Sequence, residues 1–383
     1  MRNASRSALA EELANARHST LRLFDRLTDA QWRVPYLPTI NPPRWELGHV
    51  GWFQEYWCLR QGPGGRMLDS MMPASDDFYD SRVVPHRRRW EFDLPSDHDT
   101  RAYLADTLDA TLERLARAED SDEGLYFFRL GLFHEYMHAE AFAYTWQTLG
   151  YECPEPLTRV AAYEGRRAAR RVAGGVVEIG APQGAGFAFD NEQWSTPVEV
   201  GSFEIALQPV TNAEFLRFVS DGGYRDARWW DPEPFALLRG AGRTMPRYWR
   251  EREARVEARR FDRWEPLEPD APLVHVSAHE AQAYCRWAGR RLPTEAEWVF
   301  AARNVEGFDW GAQVWEWTAT PFEPLAAFSP GPYREYSAPF FGTHRIVRGG
   351  SVATPRGMVD DRFRNFYTPE RDDIFVGFRV CGD

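Results

Sequence analysis

The chain has 383 residues, of which 57 are acidic and 46 basic, giving a net charge of −11. That length exceeds what a single core usually holds, so at least two domains are expected. The acidic balance argues against nucleic acid as a partner, because such binding is dominated by phosphate neutralisation. Four scattered cysteines (Cys58, Cys153, Cys285 and Cys381) with no C-x-x-C fit a reduced, cytoplasmic protein rather than a disulfide scaffold or a zinc ribbon. The N-terminus has no apolar signal core, and the most apolar run, LYFFRLGLF, is short and interrupted by Arg129, so no membrane partner is expected. Aromatic residues make up 15%, including 16 Trp, enough to build cores or cages for cations.

Residues 1–150 read as helical. Leu9, Leu13, Ala16, Leu23 and Leu27 recur at helical spacing, and WELGHVGWFQEYWCLR follows the turn YLPTINPPR. In TRAYLADTLDATLERLARA, Leu104, Leu108, Leu112 and Leu115 form one stripe. A fourth helix, EGLYFFRLGLFHEYMHAEAFAYTWQTL, stops at Gly150 with Pro154 and Pro156 beyond. Together these predict a four-helix bundle, an architecture that builds metal sites from facing helices. The long connection over about residues 61–98 reads as functional or disordered. Residues 151–175 read as a linker with the basic run RRAARR. From residue 176 to 383 short apolar stretches alternate with Gly, Pro and aromatic clusters, which predicts an irregular α+β domain with two helices, TNAEFLRFVS and SAHEAQAYCRWAG. Ser277 and Glu280 form a capping-box pattern at the second.

His134 and His138 in HEYMH lie four apart, on one face of a helix, and can grip one metal ion. His49, on the second helix, can converge with them, and three neutral nitrogen donors would leave positions open for substrate or oxygen. HEYMH also matches the H-E-x-x-H of zinc peptidases. That class needs a third ligand at a set distance, but Ala141 and Tyr144 stand where the extended motif has glycine and histidine. Glu152, Glu155 and Glu164 fall in the linker. Glu135 points about 100° away from His134 around the helix, which suits a supporting contact better than a general base. Arg82, Arg87, Arg88 and Arg89 form a basic loop that could clamp a carboxylate or phosphate. His86 sits among them and reads as a loop histidine, not a ligand.

The motifs QPVTNAEFLRFV, PLVHVSAHEAQAYCRWAGRRLPTEAEWVFAAR, VWEWTAT, RIVRGGSVATP and FRNFYTPERDDIFVGFRV together resemble the formylglycine-generating (sulfatase-modifying factor) fold, an irregular α+β fold related to C-type lectins. Members that make formylglycine use a cysteine pair after RGGS, and VATPRGMVDDRFRNFY has none, so that activity is not expected. Joined to a bundle with H-x-x-x-H, the domain resembles the ergothioneine sulfoxide synthases, whose bundle is DinB-like. The resemblance implies an oxidoreductase with Fe(II) and O2, in which a three-histidine site between the domains joins hercynine to a thiol. It implies His49, His134 and His138 as ligands, Asn365 and Phe366 at hercynine, and Arg371 at the carboxylate of the thiol substrate. A trimethylammonium group needs aromatic faces, each contributing roughly 0.5–2 kcal/mol; core packing is the alternative role for Phe366.

Three positions depart from that pattern. Phe328 stands where the family's proton-donating tyrosine is expected, with Tyr333 and Tyr336 nearby. Tyr367 stands where an acid would suit an amino-acid thiol, and Met137 replaces a glutamine. A neutral hydroxyl suits an uncharged, sugar-like partner. These departures resemble the selenoneine synthases, which take the selenosugar 1-seleno-glucose. Tyr367 is then the candidate for proton management, and Arg82, Phe328 and Met137 are candidate substrate contacts. The alternatives are a sulfoxide synthase using a thiol such as γ-glutamylcysteine, a zinc metallopeptidase, and a non-catalytic binding module.

Overall fold

The computed structural model describes residues 1–62, 66–155, 157, 159–163 and 168–383. Pro156, Glu164, Arg166 and Arg167, named above, lie outside the described residues. Two compact units form. The first comprises Met1–Thr145, Gly184–Ala188 and Pro355–Met358; the second comprises Trp146–Gln183, Phe189–Thr354 and Val359–Asp383. The division is thus not contiguous in sequence. Phe187 stacks on Phe133 with centroids 5.0 Å apart, and its carbonyl accepts from Arg2 Nη1 at 3.0 Å, which ties the segment 184–188 to the first unit.

The first unit is helical: α1 (Arg6–Phe24), α2 (Pro43–Gln54), the short α3 (Ser75–Tyr79), α4 (Asp97–Ala116) and most of α5 (Asp122–Leu149). Ser5 caps α1 and Ser96 caps α4, each side chain accepting a first-turn amide. Pro43 opens α2 at a position where the missing N–H is not needed. Every residue of α2 except Arg44 is buried, so this helix is enclosed on all sides rather than amphipathic. It runs on as a π-helical turn, Glu55–Leu59. On α4 the buried face is Tyr103, Leu104, Thr107, Thr111 and Leu115, while Leu108 and Leu112 are half-buried at its margin. On that face the Thr111 hydroxyl donates back to the Thr107 carbonyl at 2.7 Å. The connection over 61–98 is not featureless in its described part. It carries α3 and a 3-10 turn, His86–Trp90, and Arg60 and Trp52 both hold Asp76 at 2.7 Å.

Among the described residues the second unit has four small sheets and several short helices. In chain order its elements are β1 (Ala169–Val172), β2 (Gly175–Ile179), β3 (Thr196–Val200), β4 (Phe203–Ala206), α6 (Asn212–Ser220), α7 (Pro232–Gly240), β5 (Trp249–Arg252), β6 (Arg255–Arg260), β7 (Arg263–Pro266), α8 (Ala278–Trp287), α9 (Glu295–Asn304), β8 (Trp315–Pro321), β9 (Arg345–Gly349), β10 (Asn365–Tyr367), β11 (Val376–Gly377) and β12 (Cys381–Gly382). The sheets run β1-β4-β12, β10-β9-β8-β11, β2-β3 and β5-β6-β7. The expectation of two helices is corrected to four among the described residues. Helix α9 has its own capping box, Thr294 with Glu297, and α7 opens on Pro232. Both are too short for apolar periodicity to stand out, so their termini were the readable signal. The predicted box of Ser277 and Glu280 forms at α8.

Buried charge organises this unit. Arg379 and Glu316, both under 2% exposed, are paired, and Arg364 is bidentate on Glu295 at 2.8 and 3.1 Å. Arg364 also reaches the carbonyls of Asn191 and Glu323, so it pins the strand that begins at the next residue, β10.

Candidate metal centre

α2 and α5 bring three imidazoles together. The ligating atoms of His49, His134 and His138 all lie within 4.8 Å of one another. Ring centroids are 5.0 Å apart for His49–His134, 5.1 Å for His49–His138 and 4.4 Å for His134–His138. The close packing needs Gly48. A Cβ there would lie 2.1 Å from the Tyr79 ring, and that tyrosine's carbonyl accepts from His49 Nδ1 at 2.8 Å.

Each ring is fixed in orientation. His49 lies nearly parallel to both Trp45 and Trp52, at 4.8 and 5.7 Å. His134 stacks on Phe53 at 3.5 Å with 3° between planes. His138 Nδ1 is 2.7 Å from Glu46, whose carboxylate is buried. The Nδ1 contacts of His49 and His138 leave their Nε2 atoms for a metal ion. Burial, reinforced by His138, pushes His49 and His134 well below the ordinary histidine value, so both are neutral and ligand-competent. Nδ1 of His134 is buried and without a hydrogen-bond partner among the described residues. An orphaned imidazole nitrogen beside two oriented neighbours is what a divalent ion would satisfy, so the donor set fits one.

Glu135 faces elsewhere. It is bidentate on Arg17 at 3.0 and 3.2 Å, both side chains 2% exposed, and Arg17 also holds Gln54 and the Leu104 carbonyl. A carboxylate locked in this way is not a general base for hydrolysis. Met137 is half-buried on α5 between His134 and His138. Arg82 is bidentate on Asp80, at 2.8 and 2.6 Å, with its guanidinium 4.4 Å above the Tyr56 ring. Around it, Arg88 pairs with Glu91, Arg89 donates to Asn41 over Trp45, and His86 Nε2 meets the Ile40 carbonyl at 2.7 Å.

The remaining predicted residues belong to the second unit. β10 pairs with β9 so that Phe366 faces Ile346 and Tyr367 faces Arg345. Alternation therefore puts Asn365 and Tyr367 on one face and Phe366 on the other. Asn365 Nδ2 is 3.4 Å from the Tyr367 hydroxyl. Phe366 stacks on Phe322 at 3.9 Å, with Tyr336, Phe340 and His344 within 5.8 Å. Phe328 meets Phe341 edge-on at 5.2 Å. Arg371 is bidentate on Asp373 at 2.6 and 3.0 Å and lies over the Tyr367 ring. Sequence reasoning missed Glu46, Tyr79 and the stacking aromatics. Glu46 lies three residues before His49 in WELGH, but that spacing does not reveal that its carboxylate reaches His138.

The sequence profile of the DinB superfamily matches residues 12–142, and that of the sulfatase-modifying factor enzyme 1-like domain matches 162–314 and 304–383. The chain is 35% identical to a hercynine oxygenase of Mycolicibacterium thermoresistibile, over 99% of this chain and 95% of the relative. It is 35% identical to that of Mycolicibacterium smegmatis, over 99% of each. A formylglycine-generating enzyme of Streptomyces coelicolor is 28% identical over 56% of this chain and 88% of its own length.

Proposed function

Because the chain belongs to the hercynine oxygenase family, we propose that it is an iron(II)- and O2-dependent enzyme that joins hercynine to a chalcogen donor. The observation that carries this reading is the convergence of three oriented imidazoles, His49, His134 and His138, among stacked aromatic rings. His49, His134 and His138 hold the ion, and bound iron supplies the activation of O2 and of the chalcogen. Glu46 and the Tyr79 carbonyl hold the outer faces of two ligands, and Trp45, Trp52 and Phe53 keep the rings from turning.

The donor we propose is a selenosugar, 1-seleno-glucose, and the pathway the biosynthesis of selenoneine. Two observations support an uncharged partner. Arg82 is already bidentate on Asp80, and Arg371 on Asp373, so neither offers an uncompensated charge for the carboxylates of an amino-acid thiol. Tyr367 then presents a neutral hydroxyl beside Asn365, and serves as the proton-handling group in the absence of a tyrosine at Phe328. The net step balances. Hercynine gives up a C–H and the donor an Se–H, a C–Se bond forms, selenium is oxidised to the selenoxide, and O2 is reduced, one oxygen leaving as water. Elimination of the sugar part then leaves a selenenic acid, which two equivalents of a thiol reduce to selenoneine with release of water and a disulfide.

The test is an aerobic incubation of iron-loaded protein with hercynine, offered 1-seleno-glucose and γ-glutamylcysteine in competition, with products resolved by mass. The selenium adduct or selenoneine is expected to dominate. Preferential formation of the γ-glutamylcysteine sulfoxide would transfer the protein to the thiol-using branch, and no product from either donor would remove the hercynine reading.

A further inference from the structure

The second unit contains a cavity of about 400 Å³ that shares no residue with the histidine centre. That volume suits a small organic ligand. Its walls include Tyr248, Trp249, Phe261, His275 and Phe375, with Arg259 among them.

His275 is 6% exposed. Its Nδ1 faces the Ile374 carbonyl at 2.8 Å, and a carbonyl only accepts, so Nδ1 carries the ring proton. Nε2 is therefore an acceptor, and it has no partner among the described residues. The ring is held edge-on to Tyr248 at 4.9 Å and against Phe375 at 4.9 Å. His275 also has a left-handed backbone, φ +63°, and Phe261 on the same cavity has φ +55°. Such conformations are costly for residues other than glycine and persist where surrounding contacts enforce them. Here Gln147 Oε1 accepts from the Phe261 amide at 2.7 Å, and Arg259 Nη1 donates to the Phe261 carbonyl at 3.1 Å.

Arg259 supplies the charge. Its guanidinium lies 4.6 Å from the centre of the Tyr248 ring, and Nη2 donates to the Thr148 carbonyl at 3.3 Å. Among the described residues no carboxylate pairs with it. Of the acidic side chains lining the cavity, Glu265 is paired with Arg159 at 2.6 Å and Glu268 is exposed. The cavity thus combines aromatic walls, one guanidinium without a carboxylate partner among the described residues, and one acceptor nitrogen on a buried histidine. Arg259 and His275 both flank the Tyr248 ring, so one small molecule can meet both.

We propose that this cavity is a second ligand site, which takes a small aromatic carboxylate bearing a hydrogen-bond donor at its far end. The carboxylate meets Arg259, the ring lies between Tyr248 and Phe375, and the donor meets Nε2 of His275. The probe is 4-hydroxybenzoate, followed by saturation-transfer NMR on the full-length protein. Binding is expected in the millimolar range or tighter. Benzoate, which lacks the donor, should bind about tenfold more weakly. His275→Asn should lose about tenfold for the same reason, and asparagine tolerates the left-handed backbone. Arg259→Lys keeps the charge but loses the planar fork, and should also weaken binding; it serves as the second variant if the first lowers the melting temperature. Stripping metal with a chelator should leave binding unchanged. Absence of transfer at millimolar probe, equal binding of benzoate, unaltered affinity in both variants, or loss of binding on chelation would each overturn the proposal.

Discussion

The three imidazoles differ in what meets their Nδ1 atoms. His138 faces the carboxylate of Glu46, His49 faces a backbone carbonyl, and His134 has no partner at Nδ1 among the described residues. A carboxylate on the far side of an imidazole raises its basicity and fixes its tautomer. Glu46→Gln keeps an acceptor but removes the charge, and it is expected to weaken iron binding by about tenfold or more. Competition against a fluorescent chelator reads this without turnover, and an unchanged dissociation constant would show Glu46 to be structural only. The neighbouring Glu135 has a different task. Removing it would strand the buried Arg17 guanidinium, so Glu135→Leu alone is expected to cost about 3–5 kcal/mol in denaturant unfolding. The double variant with Arg17→Met should recover much of that loss. Wild-type stability in the Glu135→Leu variant, or no recovery in the double variant, would contradict a paired buried charge.

At the scale of elements, the centre depends on how α3 packs against α2. Trp45 donates to the Phe78 carbonyl, and Gly48 leaves room for the Tyr79 ring. These contacts place the Tyr79 carbonyl on His49. Gly48→Ala favours α2 by intrinsic propensity, by about 1 kcal/mol. The added methyl nevertheless overlaps the Tyr79 ring at 2.1 Å and must displace it. The expected result is weaker iron binding with little change in helix content by circular dichroism. Iron affinity equal to wild type would mean that the Tyr79 carbonyl does not orient His49. The short elements of the second unit are set by caps: Thr211–Glu214, Ser277–Glu280 and Thr294–Glu297 each close a reciprocal box at a helix start.

For the molecule as a whole, acid sensitivity follows from histidines buried in the neutral state. Burial pushes His275 down to about 4, against about 6.5 when unfolded. The unfolded chain therefore takes up the proton first, and the stabilisation is complete above pH 6.5 and lost as pH falls toward 4. About 2 kcal/mol should disappear between pH 7.5 and pH 5 from this group alone. His275→Asn should flatten the profile over that range in urea unfolding. A parallel profile would mean that His275 is already charged in the fold. Much of this was legible in the chain itself. The i, i+4 spacing of His134 and His138 depends only on helix geometry, and the ordered C-terminal motifs marked the fold because they are local strings. His49 could be nominated from its own helix. What local spacing could not reveal is which groups meet across elements. Glu46 reaches His138 instead of solvent, Glu135 turns to Arg17, and Arg82 and Arg371 are neutralised by Asp80 and Asp373. It also could not reveal that His275 has a strained backbone and opens on a cavity. Those outcomes depend on the packing of helices and strands far apart in sequence, and so only the tertiary structure decided them.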